Sequence, residues 1–482
     1  MPRETPLSRI ADFVGGRIVG DRTVQVENVQ HDSRRSGKGT LFVAIRGFEA
    51  DGHHFIDDAI SRGAAAICVD HPIDSGVPQI VVEDTRLALG PISSVVYGHP
   101  TRDLPVIGVT GTNGKTTTTH LIEAIGAAAD LNTAVIGTIG ARIGGERIPL
   151  ERTTPEASEL QALFSEMRDR SVDLAAMEVS SHSLALHRVD GTHFKIVAFT
   201  NLSQDHLDFH KDMDTYFAAK AQLFSAERAE KAVIFTDDSY GRRLASTIDL
   251  PVTKVGFDST ADIRAEAITA SISHSEVTIV ADGRSYPVRL ALGGIFNVAN
   301  ALVAVGCALG VGIPMDRVIA GLEAVRSVLG RFELVSGTHP VSVIVDYAHT
   351  PDGIQAVVGA ARGAVTGRVI VVIGAGGDRD HAKRPAMGSA ASAADVVIIT
   401  SDNPRSEDPA AISEAVASGI TKGEPVVELD RRAAIFEAVG RANEGDVVLV
   451  LGKGHEATQI FKNRTVHFDD REVAREALEA RP

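Results

Sequence analysis

The sequence predicts an α/β protein of three domains. An N-terminal mixed α/β domain spans residues 1–103. A central domain over 104–332 carries a parallel sheet and a phosphate-binding loop, and a C-terminal domain over 333–482 carries a second parallel sheet. Three observations point there. The 482 residues suit about three units of ~150 residues each. Short apolar runs alternate with helical segments, the pattern of parallel strands joined by helices. Near position 111 a glycine loop stands between such a strand and such a helix.

In chain order, Leu41–Ile45 and Ala64–Val69 read as buried strands with a helix at Phe55–Ser61 between them. Gly98–Pro105 (GHPTRDLP) carries two prolines and a glycine among polar residues and reads as a linker. The central stretch opens with the strand VIGVT at Val106, the loop, and the helix THLIEAIGAAAD. Strands follow at Leu174–Val179, Ile196–Thr200 and Ala232–Thr236. Residues 262–292 alternate in short runs around Asp282-Gly283, as hairpins added at a sheet edge do. Helices resume at Phe296–Leu309 and after Pro314. Strands at Val341–Val345, Arg368–Ile373, Val396–Thr400, Val426–Leu429 and Val447–Leu451 then form a second doubly wound, Rossmann-like sheet.

Charge and composition exclude several roles. With 63 acidic against 48 basic residues the net charge is −15, too few cations for wholesale nucleic-acid binding. Small anionic ligands remain compatible. Cys68 and Cys307 sit in apolar runs and read as buried, inert thiols of a cytoplasmic protein. The N-terminus lacks a signal-peptide core, and no apolar run reaches the ~18 residues of a membrane span.

The loop Gly111-Thr112-Asn113-Gly114-Lys115-Thr116 is the strongest chemical signal. Its glycines let successive N–H groups converge on phosphate oxygens at the positive end of the following helix. Lys115 reaches β- and γ-phosphates and the Thr116 hydroxyl suits Mg²⁺, so ATP and Mg²⁺ are the expected cofactors. Val109 stands where the common G-x-x-x-x-G-K-[ST] pattern has its first glycine. Glu178 ends the apolar strand LAAMEV, where a carboxylate can hold a metal beside Thr116. His206 lies in DHLDFH, whose residue types alone fit a transition metal as well. By chemistry alone Lys220, in YFAAKAQ, is an ordinary exposed helical lysine, and Asn297 and Asn300 are helix caps.

The variant loop GTNGKTTT resembles that of the Mur ligase family, which also includes folylpolyglutamate synthetases. The remaining motifs stand in that family's order: HDSR at His31–Arg34, MEVSSHSL at Met177–Leu184, TNLSQDHLDFH at Thr200–His210, FNVANA at Phe296–Ala301, GRFE at Gly330–Glu333, DYAHTPD at Asp346–Asp352, GGDRD at Gly376–Asp380, DNPR at Asp402–Arg405 and GKGHE at Gly452–Glu456. The resemblance covers essentially the whole chain and implies an ATP-dependent amide-forming ligase of peptidoglycan synthesis. It places ATP on Gly111–Thr117, Asn297, Arg331 and Asp346, with His349 near the nucleotide. It implies a second Mg²⁺ on Glu178 and His206, and a carbamylated Lys220 as an anionic support of the metal cluster. Arg331, Asp346 and His349 also fit plain interdomain ion pairs.

For the acceptor, the resemblance implies UDP-MurNAc-L-Ala-D-Glu. Its UDP end lies at His31, Ser33 and Phe48-Glu49-Ala50, and its peptidyl end at Arg152, Thr153, Thr154, Ser180 and Arg188. From the residues alone, Ser33 and Arg34 suit a uracil or a phosphate, or alternatively make a turn. Thr154 and Pro155 read as cap and first residue of a helix. Arg152 replaces an asparagine common in the family, and Leu186 a glutamine.

For the amino acid, Asp402-Asn403-Pro404-Arg405 follows the strand VVIIT, and Asp408-Pro409 reads as cap and first residue of the next helix. Arg405 can pair bidentately with a carboxylate. DNPR resembles the diaminopimelate-adding members, and Arg379, Gly452 and Glu456 complete the amino-acid contacts that the resemblance implies. The expected reaction is ligation of meso-diaminopimelate to the D-Glu γ-carboxylate through an acyl phosphate. The alternatives are L-lysine as the amino acid, or a folylpolyglutamate-type ligase. No nucleic acid, no membrane span and a monomeric state are expected.

Overall fold

The computed structural model describes residues 4–48, 50–337 and 339–481. Three sheets organise them. The N-terminal sheet runs in the order 17–19, 79–81, 66–69, 40–43, 28–30, parallel except for its first strand. The central sheet has 11 strands. Its parallel heart is ordered 133–137, 174–178, 106–110, 196–199, 232–235, 252–256. An antiparallel hairpin lies at one edge (140–148), and strands 263–270, 275–281 and 284–290 lie at the other. The C-terminal sheet is ordered 333–334, 342–346, 447–451, 369–373, 396–399, 426–427, parallel from its second strand onward.

The strands of the parallel cores are apolar on both faces, because helices cover both sides. On one face of the central sheet, Leu121, Ile122 and Ile125 pack with Val298, Leu302 and Val305. On the other, Leu160, Phe164 and Met167 pack with Phe199 and Phe224. The C-terminal sheet is sandwiched likewise, by Ile354 and Val358 on one side and Ile435 and Val439 on the other. The strand Val106–Thr110 sits where the chain, having filled one side of the sheet, turns to fill the other. Such switch points leave a crevice at the carboxyl ends of the strands.

The edge hairpins at 262–292 form as the alternating pattern predicts, with Asp282-Gly283 as the turn. Cys68 and Cys307 are buried free thiols whose pKa burial raises. Two local expectations fail. The proline-rich stretch at 98–105 is not an open linker: Pro100–Asp103 forms a helical turn with Pro100 and Thr101 buried, started by proline at the first helical position. The helix expected from Thr154 begins instead at Ala157, because Glu156 and Glu159 form a reciprocal capping box that outcompetes the threonine. Asp408-Pro409 does start its helix as expected. Among the described residues no helix is long and apolar enough to cross a membrane.

Candidate active site

The phosphate loop leaves the strand Val106–Thr110 and enters the helix Lys115–Ala128 through two glycines with positive φ, Gly111 at 148° and Gly114 at 89°. A side chain cannot be added at either one. A Cβ on Gly111 would lie 2.0 Å from Thr200 Oγ1, and one on Gly114 would lie 2.2 Å from Asn300 Oδ1. Neighbouring segments hold the curl from outside. Asn113 N donates to Asn201 Oδ1 (2.9 Å), Thr112 N donates to the Asn201 carbonyl (2.9 Å), and Thr200 Oγ1 donates to the Asn113 carbonyl (2.6 Å). These contacts spare the first N–H groups of the helix, which have no intrahelical acceptor and face the crevice with the positive end of the dipole.

Lys115 Nζ folds back onto the Gly111 and Thr112 carbonyls at 2.9 and 2.8 Å. Burial pulls its pKa down, while the Glu178 charge opposes that pull. Arg331 reaches in from the segment joining the central and C-terminal sheets. Its Nη2 donates to Thr116 Oγ1 at 2.9 Å, and its guanidinium lies 4.4 Å over the Tyr347 ring. Glu178 is buried. Its two oxygens accept from the Thr138 N–H (2.8 Å) and hydroxyl (3.0 Å), and Thr154 Oγ1 donates to its carbonyl.

Lys220 overturns the expectation of an exposed lysine. It is only 1% exposed, its Nζ donates to the Gly111 carbonyl at 2.8 Å, and it lies 4.7 Å over the Tyr216 ring. Burial first, and then the Lys115 charge, push its pKa well below the usual lysine range. The helix signal misled because only the Asp214, Thr215 and Ala218 face of that helix meets water, and Lys220 lies on the buried face.

Three cavities line up through this region. The first, about 360 Å³, lies between Asn113, Gly114, Thr117, Phe257, Asn297 and Asn300 on the central side and Arg331, Asp346 and Tyr347 on the other. Its shape and apolar walls suit a purine nucleoside. Asn297 and Asn300 are not caps, since Gly294 caps their helix. Asn297 Nδ2 donates to the Gly293 carbonyl and Asn300 Nδ2 to Asn297 Oδ1, which fixes both amides at the wall. Asp346 accepts from the Phe332 and Ala348 N–H groups at 2.6 Å each, which locks the turn between the two sheets. Burial raises its pKa against the opposing Arg331 charge.

The second cavity, about 180 Å³, is the phosphate chamber. It holds Thr112 through Thr117, Thr138, Thr153, Glu178, Ser180, Asp205, His206, Arg331 and His349. The third, about 240 Å³, continues from Asp205, His206 and His349 to Gly376, Arg379, Asp402, Asn403, Arg405, Gly452 and Glu456. Shared walls make the three one track: Arg331 and Tyr347 close the first against the second, and Asp205, His206 and His349 close the second against the third.

Asp205 pins the track across the domain boundary. Its oxygens lie 3.1 Å from Lys383 Nζ, 3.3 Å from His206 Nε2 and 3.6 Å from His349 Nε2. Burial alone would raise its pKa, but the neighbouring His349, and then His206 and Lys383, hold it well below the usual carboxylate range. His206 has a left-handed backbone (φ 55°) and packs against His182, and burial pushes its pKa down to about 3.

In the third cavity Asn403 Nδ2 donates to Glu456 Oε2 at 2.7 Å, and Arg405 Nη1 donates to the Gly377 carbonyl at 2.6 Å. Asp402 accepts from the Asn403 N–H, and its Oδ2 would meet a Cβ on Gly452 at 2.6 Å, so that glycine is needed for close approach. The Pro404 carbonyl packs against Gly377. Arg379 is exposed at the rim.

The acceptor residues are more scattered. Thr153 and Ser180 line the phosphate chamber. Arg188 is tied to Glu156 at 2.9 Å, and Arg152 is partly exposed near Glu151. On the N-terminal domain, His31 Nδ1 meets Ser158 Oγ at 2.9 Å, and Ser33 is buried in a helical turn capped by Asp32. Phe48 is 83% exposed with its ring 6.4 Å from that of Phe209, and the Ala50 carbonyl closes the same loop onto Gly47. Glu49 lies outside the described residues.

Family models match three consecutive stretches: "Mur ligase family, catalytic domain" over 25–97, "Mur ligase middle domain" over 109–308 and "Mur ligase, glutamate ligase domain" over 330–454. The chain belongs to the Mur ligase family. Among curated Mur ligases, the UDP-N-acetylmuramoyl-L-alanyl-D-glutamate--2,6-diaminopimelate ligase of Streptomyces coelicolor is 44% identical, over 98% of this chain and 96% of its own length. The enzyme of the same name from Bacillus velezensis is 42% identical, over 94% of each chain. A solved structure of that ligase superposes with a TM-score of 0.72 at 30% identity, covering 99% of both chains. MurF from Acinetobacter baumannii shares the fold, with a TM-score of 0.70 at 19% identity over 99% of this chain and all of its own. Mur ligases are ATP-dependent acid–amino-acid ligases, and this chain is one.

Sequence reasoning missed several residues that build the site. Lys453 is fully buried and donates to Asn403 Oδ1, Glu456 Oε2 and the Thr458 carbonyl. Its signal was present in GKGHE, where a lysine between glycines follows an apolar strand. Tyr347 lay inside the motif DYAHTPD without being singled out, and Thr138 and Lys383 gave no such signal. Their roles come from contacts between residues distant in sequence.

Proposed function

We propose that this chain joins meso-2,6-diaminopimelate to the γ-carboxylate of D-Glu in UDP-MurNAc-L-Ala-D-Glu, cleaving ATP to ADP and phosphate, in the synthesis of peptidoglycan precursors. The curated relatives of that name, 41–44% identical over nearly the full chain, support this reading. The observation that carries it is the continuous track from nucleoside pocket through phosphate chamber to amino-acid pocket. In this reading residues 1–103 hold the UDP end of the precursor, 104–332 hold ATP, and 333–482 hold the amino acid. The chain acts as a monomer in the cytoplasm.

The loop N–H groups and Lys115 grip the β- and γ-phosphates. The D-Glu carboxylate enters past Thr153 and Ser180, which line the same chamber as Lys115. A carboxylate oxygen attacks the γ-phosphorus, the bond to the β-phosphate oxygen breaks, and ADP leaves. The resulting acyl phosphate is an electrophile that the bare carboxylate is not. The diaminopimelate amine arrives from the third cavity, its ammonium end steered by Glu456 and Asn403 and its distal carboxylate by Arg405. Attack gives a tetrahedral intermediate, and collapse expels phosphate and leaves the amide. Fixing three reactants in line supplies much of the rate.

The donors at the chamber fit Mg²⁺: the Thr116 hydroxyl and the buried Glu178 carboxylate are hard oxygens, and His206 lines the same chamber. Mg²⁺ held there would neutralise charge on the transferring phosphoryl group. As an amine, Lys220 offers no anionic oxygen. Burial favours its neutral amine; addition of that nitrogen to CO₂ with loss of a proton would give a carbamate, whose anionic oxygens could serve the metal.

The test is to incubate the purified chain with ATP, UDP-MurNAc-L-Ala-D-Glu and single amino acids. Product of tripeptide mass and matching ADP should appear with meso-diaminopimelate. No ADP release with any amino acid refutes the reading.

A further inference from the structure

A second cluster lies in the N-terminal domain, outside the ligase track. Asp70 and His71 follow the strand Ala66–Val69, and His53 stands in the helical turn Gly52–Phe55 that follows the neighbouring parallel strand Thr40–Val43. All three therefore sit beyond the carboxyl ends of adjacent strands. Donor atoms of His53, Asp70 and His71 lie within 4.8 Å of one another, the one such group of three among the described residues.

The hydrogen bonds around the cluster set its proton positions. His53 Nδ1 lies 2.6 Å from Asp51 Oδ1, which also accepts the His53 backbone N–H at 3.0 Å. That carboxylate orients the ring so that Nε2 points toward Asp70. The side chain is 10% exposed, and Nε2 is buried without a hydrogen-bond partner. It nonetheless faces Asp70 Oδ1 at 3.3 Å. Either a proton on Nε2 or a bridging metal ion would join the two atoms at that distance. A tetrahedral ion with ligand distances of ~2.0–2.1 Å separates its ligands by about 3.3–3.4 Å. Asp70 is oriented for one-oxygen ligation, since Arg46 Nε holds its other oxygen at 2.9 Å. His71 Nδ1 contacts Asp70 Oδ1, its ring stacks on that of His53 at 5.2 Å, and its side chain is 56% exposed, so ligation needs only a turn of this exposed ring.

We propose that His53, Asp70 and His71 form a site for a zinc-class divalent ion, with water as fourth ligand. Two of its three donors are imidazoles, which select such ions over Mg²⁺. Asp51 acts behind His53 as the carboxylate that fixes ring and tautomer. The ion would brace the loop 44–53, which carries Phe48 and Ala50.

Isothermal titration of the chelator-treated full chain with ZnCl₂, alongside visible spectra with Co²⁺, tests this. A His206→Ala background removes the imidazole assigned to the phosphate chamber and so weakens zinc-class binding there. The expected result is one equivalent of Zn²⁺ and the intense d–d bands of four-coordinate Co²⁺. His71→Ala and Asp70→Asn should lose both signals, and Asp51→Asn should weaken binding about 10–100-fold. His71 is exposed, so its alanine variant keeps the fold, and circular dichroism checks this. Zn²⁺ binding unchanged in His71→Ala and Asp70→Asn, or no binding by the parent chain, overturns the proposal. The latter result would leave a proton alone between His53 and Asp70.

Discussion

Arg405 is the side chain on which amino-acid selectivity should turn. Arg405→Ala removes the guanidinium from a cavity it shares with Asp402, Asn403 and Glu456. The backbone should not move, because Arg405 has a φ of 52° and alanine pays the same left-handed penalty. Truncating one partner of a hydrogen-bonded charge pair in a desolvated site costs ~2–5 kcal/mol. Arg405 is only partly buried, so the lower part of that range applies, about 2–3 kcal/mol. At 1.36 kcal/mol per decade this is a fall in kcat/KM of about 30–160-fold for meso-diaminopimelate. L-Lysine has no distal carboxylate and should change by less than about 3-fold, within about 0.6 kcal/mol. The assay is ADP release at subsaturating amino acid for both substrates, with ATP and UDP-dipeptide saturating. Unchanged diaminopimelate use refutes the pairing. An equal loss for both substrates would mean that the loop, not the charge pair, was damaged.

Lys383→Met removes the cation that ties the C-terminal domain to Asp205. It should lower kcat about 10–100-fold, or about 1.4–2.7 kcal/mol, somewhat less than the ~3–5 kcal/mol cost of breaking a fully buried pair, and raise the radius of gyration of the substrate-free chain in X-ray scattering. Neither changing would deny the contact its role in closure. Lys453→Met leaves Asn403, Glu456 and the Thr458 carbonyl without their buried donor, and should destabilise the C-terminal domain by about 3 kcal/mol in urea unfolding. A shift below about 1 kcal/mol would contradict that. Glu407 has its pKa lowered to about 2, chiefly by the hydrogen bond from Arg384. A lowered carboxylate pKa stabilises the fold above the unfolded value near 4.5, and that contribution is lost as pH falls toward about 2. Glu407→Gln should therefore lower Tm at pH 7, and the difference from the parent should vanish between pH 4.5 and 2. A difference independent of pH would refute the ionic origin.

The sheets were largely legible because parallel cores leave continuous apolar runs, such as VVIIT and VVLVL, bounded by glycine and polar turns. The phosphate loop was legible because its glycines are forced by contacts a Cβ would violate. Lys220 was not legible, since nothing in YFAAKAQ shows that its helix lies beneath the loop. The start of the 157–169 helix was misplaced because Glu156 and Glu159 cap it from within. Asp205 looked like one acid in a cluster, and only the fold brings Lys383 and His349 to it from about 140–180 residues away. The acceptor contacts were least legible, because they are spread over two domains.

The most direct measurement follows the carboxylate oxygen itself. UDP-MurNAc-L-Ala-D-Glu labelled with ¹⁸O in the D-Glu γ-carboxylate is turned over with ATP and meso-diaminopimelate, and the released phosphate is analysed by mass spectrometry. If the loop at 111–116 delivers the γ-phosphoryl group to that carboxylate, one labelled oxygen appears in each phosphate. Unlabelled phosphate, with amide product still formed, would contradict activation by phosphoryl transfer.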